Sequence, residues 1–208
     1  MHTLRHMPVA DSTKCLLRLA RRRGSITRRE VVDAGIHTHT LSRLVRTGAL
    51  ERVSRGRYRL PDAPITEHHS LALVAAAAPK AVVCLLSALS FHQIGTQLPH
   101  EVWIAVDRRT RAPALSWPKL RVFRFGGEAL TEGIEEHRIE GEHVRVYGVP
   151  KTIADIFKYR NKVGLDVALE ALREAWRAKR FTMDQIHRYA RVCRVERVMR
   201  PYLAALVA

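Results

Sequence analysis

The chain has 208 residues, 47% hydrophobic and 27% charged, a globular balance that excludes a disordered polar tract. Lysine and arginine number 36 against 20 acidic residues, a formal net charge of +16, which favours an acidic partner: nucleic acid, an anionic membrane or an acidic protein. Three well-separated cysteines with no CxxC pair exclude a disulfide framework and a four-cysteine zinc site, and fit a reducing compartment.

The opening MHTLRHMPVADSTK lacks the apolar core of a signal peptide, and LALVAAAAPKAVVCLLSAL is interrupted by Pro79 and Lys80. A cytoplasmic protein without a membrane segment is therefore expected. Charge is uneven: residues 1–62 hold 14 basic and 5 acidic side chains, 63–157 hold 10 of each, and 158–208 hold 12 and 5. With PDAP at 61–64 as a short linker, this predicts two domains, 1–62 and 63–208, of α+β class.

In chain order, Ser12 is placed to cap a helix through TKCLLRLARRR that Gly24 ends. Thr27 followed by Glu30 is a capping-box signature for a short helix with Val31, Val32 and Ala34 as its apolar part. After Gly35, Thr38 is placed to cap a second short helix. Leu41, Leu44 and Val45 form its inner stripe, leaving His39, Thr40, Ser42, Arg43 and Arg46 on the outward face or its flanks. ALERVSRGRYRL reads as a hairpin with Arg55 and Arg57 at its tip.

Helix, helix, turn, helix and basic hairpin is the order of a winged helix-turn-helix. Such a fold sends the second helix of the turn pair into the DNA major groove, so Thr38, His39, Thr40, Ser42, Arg43 and Arg46 are expected DNA contacts. Thr27, the N–H groups beside it, Arg28 and Arg29 are expected to hold a phosphate, and Arg55 and Arg57 to meet a neighbouring phosphate or the minor groove. A solvated basic face on a small helical domain would carry the same apolar stripes.

The remainder reads as a larger mixed α/β domain with a helical C-terminus. A helix over 66–78 precedes a short buried strand and a helix capped at Ser87 and stopped at Gly95. Strands follow at 101–107 and 120–126, then a hairpin over 133–148 turning at Glu140-Gly141-Glu142. Pro150 opens a helix with Ile153, Ile156 and Phe157 inward; a longer helix turns Val167, Leu169, Leu172, Ala175 and Trp176 inward. Thr182 and Gln185 make a second capping box. Arg173, Arg177, Arg180, Arg188 and Arg191 recur at helical spacing as a second basic surface for DNA or an acidic partner, against a solvated-helix reading. Lys151 and Asp155, one turn apart, are expected to pair across the helix surface.

No catalytic constellation emerges. His37/His39 and His68/His69 lack metal-ligand spacing, and His92 reads as a neutral core histidine bonded to the backbone. No strand carries the acid–x–Lys of a magnesium nuclease, and Walker, GxGxxG and GxSxG motifs are missing. The expectation is a non-enzyme with no cofactor and no metal.

The first segment resembles the N-terminal winged helix of AbiEi-family antitoxins of type IV toxin–antitoxin systems, through Gly35, Leu41, Leu44, Val45, Gly48, Leu50, Gly56 and Tyr58. Ser87, Ala88, Leu89, His92 and Gly95, with Tyr147, Val149, Pro150, Lys151, Thr152, Ala154 and Asp155, resemble the family's C-terminal antitoxin domain. The resemblance implies an abortive-infection (phage-defence) autorepressor that binds inverted repeats in its own operator. It also implies an antitoxin that counters a nucleotidyltransferase-like toxin, with or without direct contact. A winged-helix regulator with a ligand- or protein-binding second domain and no toxin is the alternative.

Overall fold

The computed structural model describes residues 9–54 and 56–207. The chain divides into two compact units. The first runs to Ala77 and takes in Arg138–His143; the second comprises Ala78–His137 and Val144 onward. The helix expected to open the second domain therefore belongs to the first unit, later than the boundary expected at residue 62.

In the first unit α1 (Val9–Arg23) is followed by β1 (Ser25–Thr27), α2 (Arg28–Asp33), α3 (Thr38–Arg46), β2 (Glu51–Ser54), β3 (Arg57–Arg59) and α4 (His69–Ala77). Apart from β1, which was not expected, the order up to β3 is the helix, helix, turn, helix and hairpin expected from the sequence. Because α1 starts at Val9, Ser12 is buried inside the helix and does not cap it. The sheet order is β1-β3-β2, with Ile26 opposite Tyr58 and Thr27 opposite Arg57. Leu16 and Ala20, one turn apart on α1, close over Ile26, Val31, Ile36, Leu41, Leu44, Leu50 and Leu60. Each large aliphatic chain shut off this way contributes about 1.5–3 kcal/mol. Val32, expected in this core, is 55% exposed, because the six-residue α2 turns only Val31 inward.

Gly24 and Gly141 let two backbones meet inside this unit. Gly24, at φ +79°, has the Glu140 carbonyl where a Cβ would be, and a Cβ on Gly141, at φ +83°, would strike the Arg23 carbonyl. Only glycine accepts both the left-handed conformation and the close approach.

The second unit orders its strands β6-β5-β4-β8-β7. β4 (Val82–Val83), β5 (Val102–Asp107) and β6 (Leu120–Phe125) precede the hairpin of β7 (Ile134–Ile139) and β8 (Glu142–Tyr147). β5 pairs antiparallel with β4 and parallel with β6, and Val102–Val106 are all buried, which makes β5 a central strand. The helices are α5 (Leu85–Phe91), α6 (Glu128–Thr131), α7 (Val149–Lys158), α8 (Arg160–Val163), α9 (Leu165–Arg177), α10 (Met183–Val192) and α11 (Glu196–Val207). α5, α9 and α10 all pack on α7, and every residue from Lys151 to Phe157 is buried. Ser87 lies inside α5; its hydroxyl accepts from Trp103 N at 2.9 Å and so fastens that helix to β5.

Candidate nucleic-acid interface

The turn pair is fixed from its first residue. Thr27 Oγ1 accepts from Glu30 N at 3.2 Å and Glu30 Oε2 accepts from Thr27 N at 2.7 Å, the reciprocal capping box expected. Arg23 pairs with the same carboxylate. Burial pushes the Glu30 carboxyl up, but the Thr27 bonds and Arg23 outweigh it and hold the group below its ordinary value. The Arg28 N–H donates to Gly56 O at 2.8 Å, so the start of α2 is bonded to the β2–β3 turn. Of the donors expected to hold a phosphate beside Thr27, the Thr27, Arg28 and Glu30 N–H groups are thus engaged, while the Arg28 and Arg29 side chains stand exposed.

Gly35, at φ +70°, makes the turn and Ile36 anchors it in the core. α3 then begins with His37 as N-cap and no side-chain cap bond, so Thr38 is its first residue and not its cap. Leu41 and Leu44 face inward. His39, Ser42 and Arg46 are exposed at i, i+3 and i+7, one polar face of the helix. Thr40, expected outward, is only 3% exposed because it sits one turn before Leu44 on the inner stripe. Arg43 is half-buried, and its Nη2 donates to Thr13 Oγ1 of α1 at 2.6 Å.

The hairpin behaves differently from its expected role. Arg57, expected at the tip as a phosphate contact, is an ion-pair partner of Glu142, which is itself buried and accepts from Ser25 Oγ. Its side chain is 22% exposed. Arg59 pairs with Glu51 and lies 3.6 Å from Glu140. Glu140 also accepts from Thr66 N at 2.8 Å and meets His69 Nδ1 at 2.6 Å. Arg55 lies outside the described residues.

The five arginines expected as a second basic surface are all exposed but do not form one face. Arg173 and Arg177 line a cleft with Asp166, Glu170 and Glu174 of the same helix, Arg180 lies 3.4 Å from the His92 carbonyl, and Arg188 pairs with Glu132 at 2.5 Å. Arg191 lines a separate cavity. Arg173 and Arg177 lie on α9 and Arg188 and Arg191 on α10, so the spacing crosses a helix break at Ala178–Thr182.

Residues 16–61 match the AbiEi_4 family, described as transcriptional regulator, AbiEi antitoxin. The matched segment takes in α2, α3 and both hairpin strands, and so every exposed α3 side chain named above. The RV2827C protein of Mycobacterium tuberculosis, known from a crystal structure, is similar with a TM-score of 0.55 and 13% identity, over 88% of this chain and 71% of that one. At that identity the likeness is one of fold. No curated protein matches the chain. Among the described residues, no helix is long and apolar enough to cross a membrane.

Proposed function

We propose that the chain is a cytoplasmic, DNA-binding autorepressor whose first unit works as a winged helix-turn-helix, with α3 as the helix that enters the major groove. The observation carrying this reading is the α3 face of His39, Ser42 and Arg46, exposed and polar opposite a sealed Leu41/Leu44 stripe. Hydrogen-bonding side chains on a groove-sized helix match the donor and acceptor pattern of base edges, and Arg28 and Arg29 supply phosphate contacts on the preceding helix. Arg43 and Thr38 act at the rim, and Thr27, Thr40 and Arg57 position the elements without touching DNA. Inverted repeats in the operator would take two copies of the protein.

The family match supports extending the proposal to antitoxin action of type IV, against a nucleotidyltransferase-like toxin encoded beside this gene. The second unit is then the part that counters the toxin, and nothing in the reading requires it to catalyse a reaction. The test is co-expression with that neighbouring toxin. The intact chain and Arg46→Ala should both restore growth, while only the intact chain represses a reporter fused to its own promoter. Growth that neither protein restores would refute the antitoxin half and leave the DNA half to be judged by the reporter.

A further inference from the structure

Within the second unit, five cationic side chains from four places in the chain, besides Arg124, line one cavity of about 800 Å³. Arg108 and Arg109 follow β5, Lys158 ends α7, Arg191 lies in the last turn of α10, and Arg194 follows that helix. All five are exposed, and none is in an ion pair among the described residues. The carboxylates of the lining do not cancel them. Asp155 is paired with Lys151 at 2.5 Å, which leaves Glu128 and Asp107, whose Oδ1 accepts from the Arg109 backbone N–H at 2.8 Å, against the five cations. Arg124 donates to the Asp107 carbonyl at 3.1 Å and to the Thr110 carbonyl, so it braces the turn that presents Arg108 and Arg109.

Clustered like charges repel, and they are stabilised when an anion sits among them. Two further features specify that anion. Gly127, at φ +58°, has nothing within 4 Å of where a Cβ would stand, so the backbone is open to close approach. Tyr159, half-buried and stacked on Phe125 at 5.7 Å between centroids, lines the same cavity as the arginines. The volume far exceeds what one inorganic phosphate fills and falls in the range of small-molecule sites.

We propose that this cavity binds a nucleotide, its phosphates among Arg108, Arg109, Arg191 and Arg194 and its base against Tyr159. Guanidinium groups bind phosphate oxygens through paired, charge-assisted hydrogen bonds, and a base stacks on an aromatic ring whatever its identity. The nucleotide is either a free nucleoside triphosphate or the phosphorylated end of an RNA strand, since both present the same groups. The site involves no residue of the first unit and does not rest on the DNA-binding reading.

Calorimetric titration of the full chain tests it, with each of the four ribonucleoside triphosphates and with one short RNA carrying either a 5′-triphosphate or a 5′-hydroxyl. Saturable one-to-one binding is expected, weakened about tenfold or more by Arg191→Ala/Arg194→Ala and independently by Arg108→Ala, as loss of charge-assisted bonds implies. Arg200→Ala, at an exposed position outside the cavity lining, should bind like the unaltered protein. Binding of free triphosphate alone assigns a nucleotide ligand; binding of triphosphorylated RNA alone assigns a strand end. No saturable binding, equal binding of both RNAs without triphosphate binding, or binding that survives both arginine variants would overturn the proposal. All the replaced arginines are exposed, and matching melting curves would establish that the variants are folded.

Discussion

Lys151 and Asp155 meet across one turn of α7, Nζ to Oδ2 at 2.5 Å, with Lys151 wholly buried and Asp155 only 2% exposed. The ammonium lies 4.0 Å from the centre of the Tyr147 ring, and Cys193 Sγ donates to Asp155 Oδ1 at 3.1 Å. Burial pushes the Asp155 carboxyl above its ordinary value, and Lys151 pulls it back only in part. Two charges removed from water hold each other, so the pair is costly to break and cheap to replace as a unit.

Asp155→Ala should therefore destabilise the second unit by about 3–5 kcal/mol, because Lys151 is left buried and unpaired. The double change Lys151→Met/Asp155→Leu should stay close to the unaltered protein. Urea denaturation of the three proteins decides it, and a single variant as stable as the double one would contradict the pairing.

Arg57 and Arg46 should separate when each is changed to alanine. Arg57→Ala strands the buried Glu142 carboxylate and should lower the melting temperature of the first unit, with DNA binding lost only where unfolding sets in. Arg46 is exposed, so Arg46→Ala should leave the melting temperature within about 1 °C while weakening specific DNA binding by about 1–3 kcal/mol. Melting and binding curves recorded on the same samples make the comparison.

Thr27→Ala removes the hydroxyl that caps α2 and should cost about 1 kcal/mol of stability. Thr27→Ser keeps the oxygen and should recover most of it. Chemical denaturation monitored by helix circular dichroism measures both, and equal losses would remove the capping box from the account.

His92 carries a pH prediction. Its Nε2 bonds the Tyr147 carbonyl at 2.8 Å inside the second unit, and burial lowers its affinity for a proton below that of a free histidine. The unfolded chain then takes up a proton first, so this group's stabilising contribution is complete above about pH 6.5 and is lost as pH falls toward the depressed folded value. His92→Asn should flatten that part of the stability profile. Melting temperatures across a pH series for both proteins would show it, and parallel profiles would contradict it.

Local patterns in the sequence carried much of this structure. Both capping boxes formed as Thr27/Glu30 and Thr182/Gln185 implied, because a three-residue spacing needs no distant partner. The runs VWIAVD and LRVFRF became β5 and β6, and Glu140-Gly141 turned the hairpin. What stayed hidden depends on long-range packing. β1 is three residues long and exists only because Arg57–Arg59 pairs with it. Lys151 and Asp155 have the spacing of a surface pair, yet α7 is covered on all sides, and no residue in its own stretch reveals that. The carboxylate partner of Arg57 in the Glu140–Glu142 turn lies far along the chain, so a basic side chain expected to meet DNA is engaged within the protein, with Arg59 held beside it.

If the exposed face of α3 reads a specific DNA, the protein must tell its own operator from other duplexes. The most direct measurement is binding of the full chain to the DNA upstream of its own gene and to a scrambled duplex, at two salt concentrations. Selective binding that persists at the higher salt is expected, with a log–log salt slope reporting several phosphate contacts and a specific affinity that falls in Arg46→Ala. Equal binding to both duplexes, erased together by salt, would contradict it and reduce the charge of +16 to a generic basic surface.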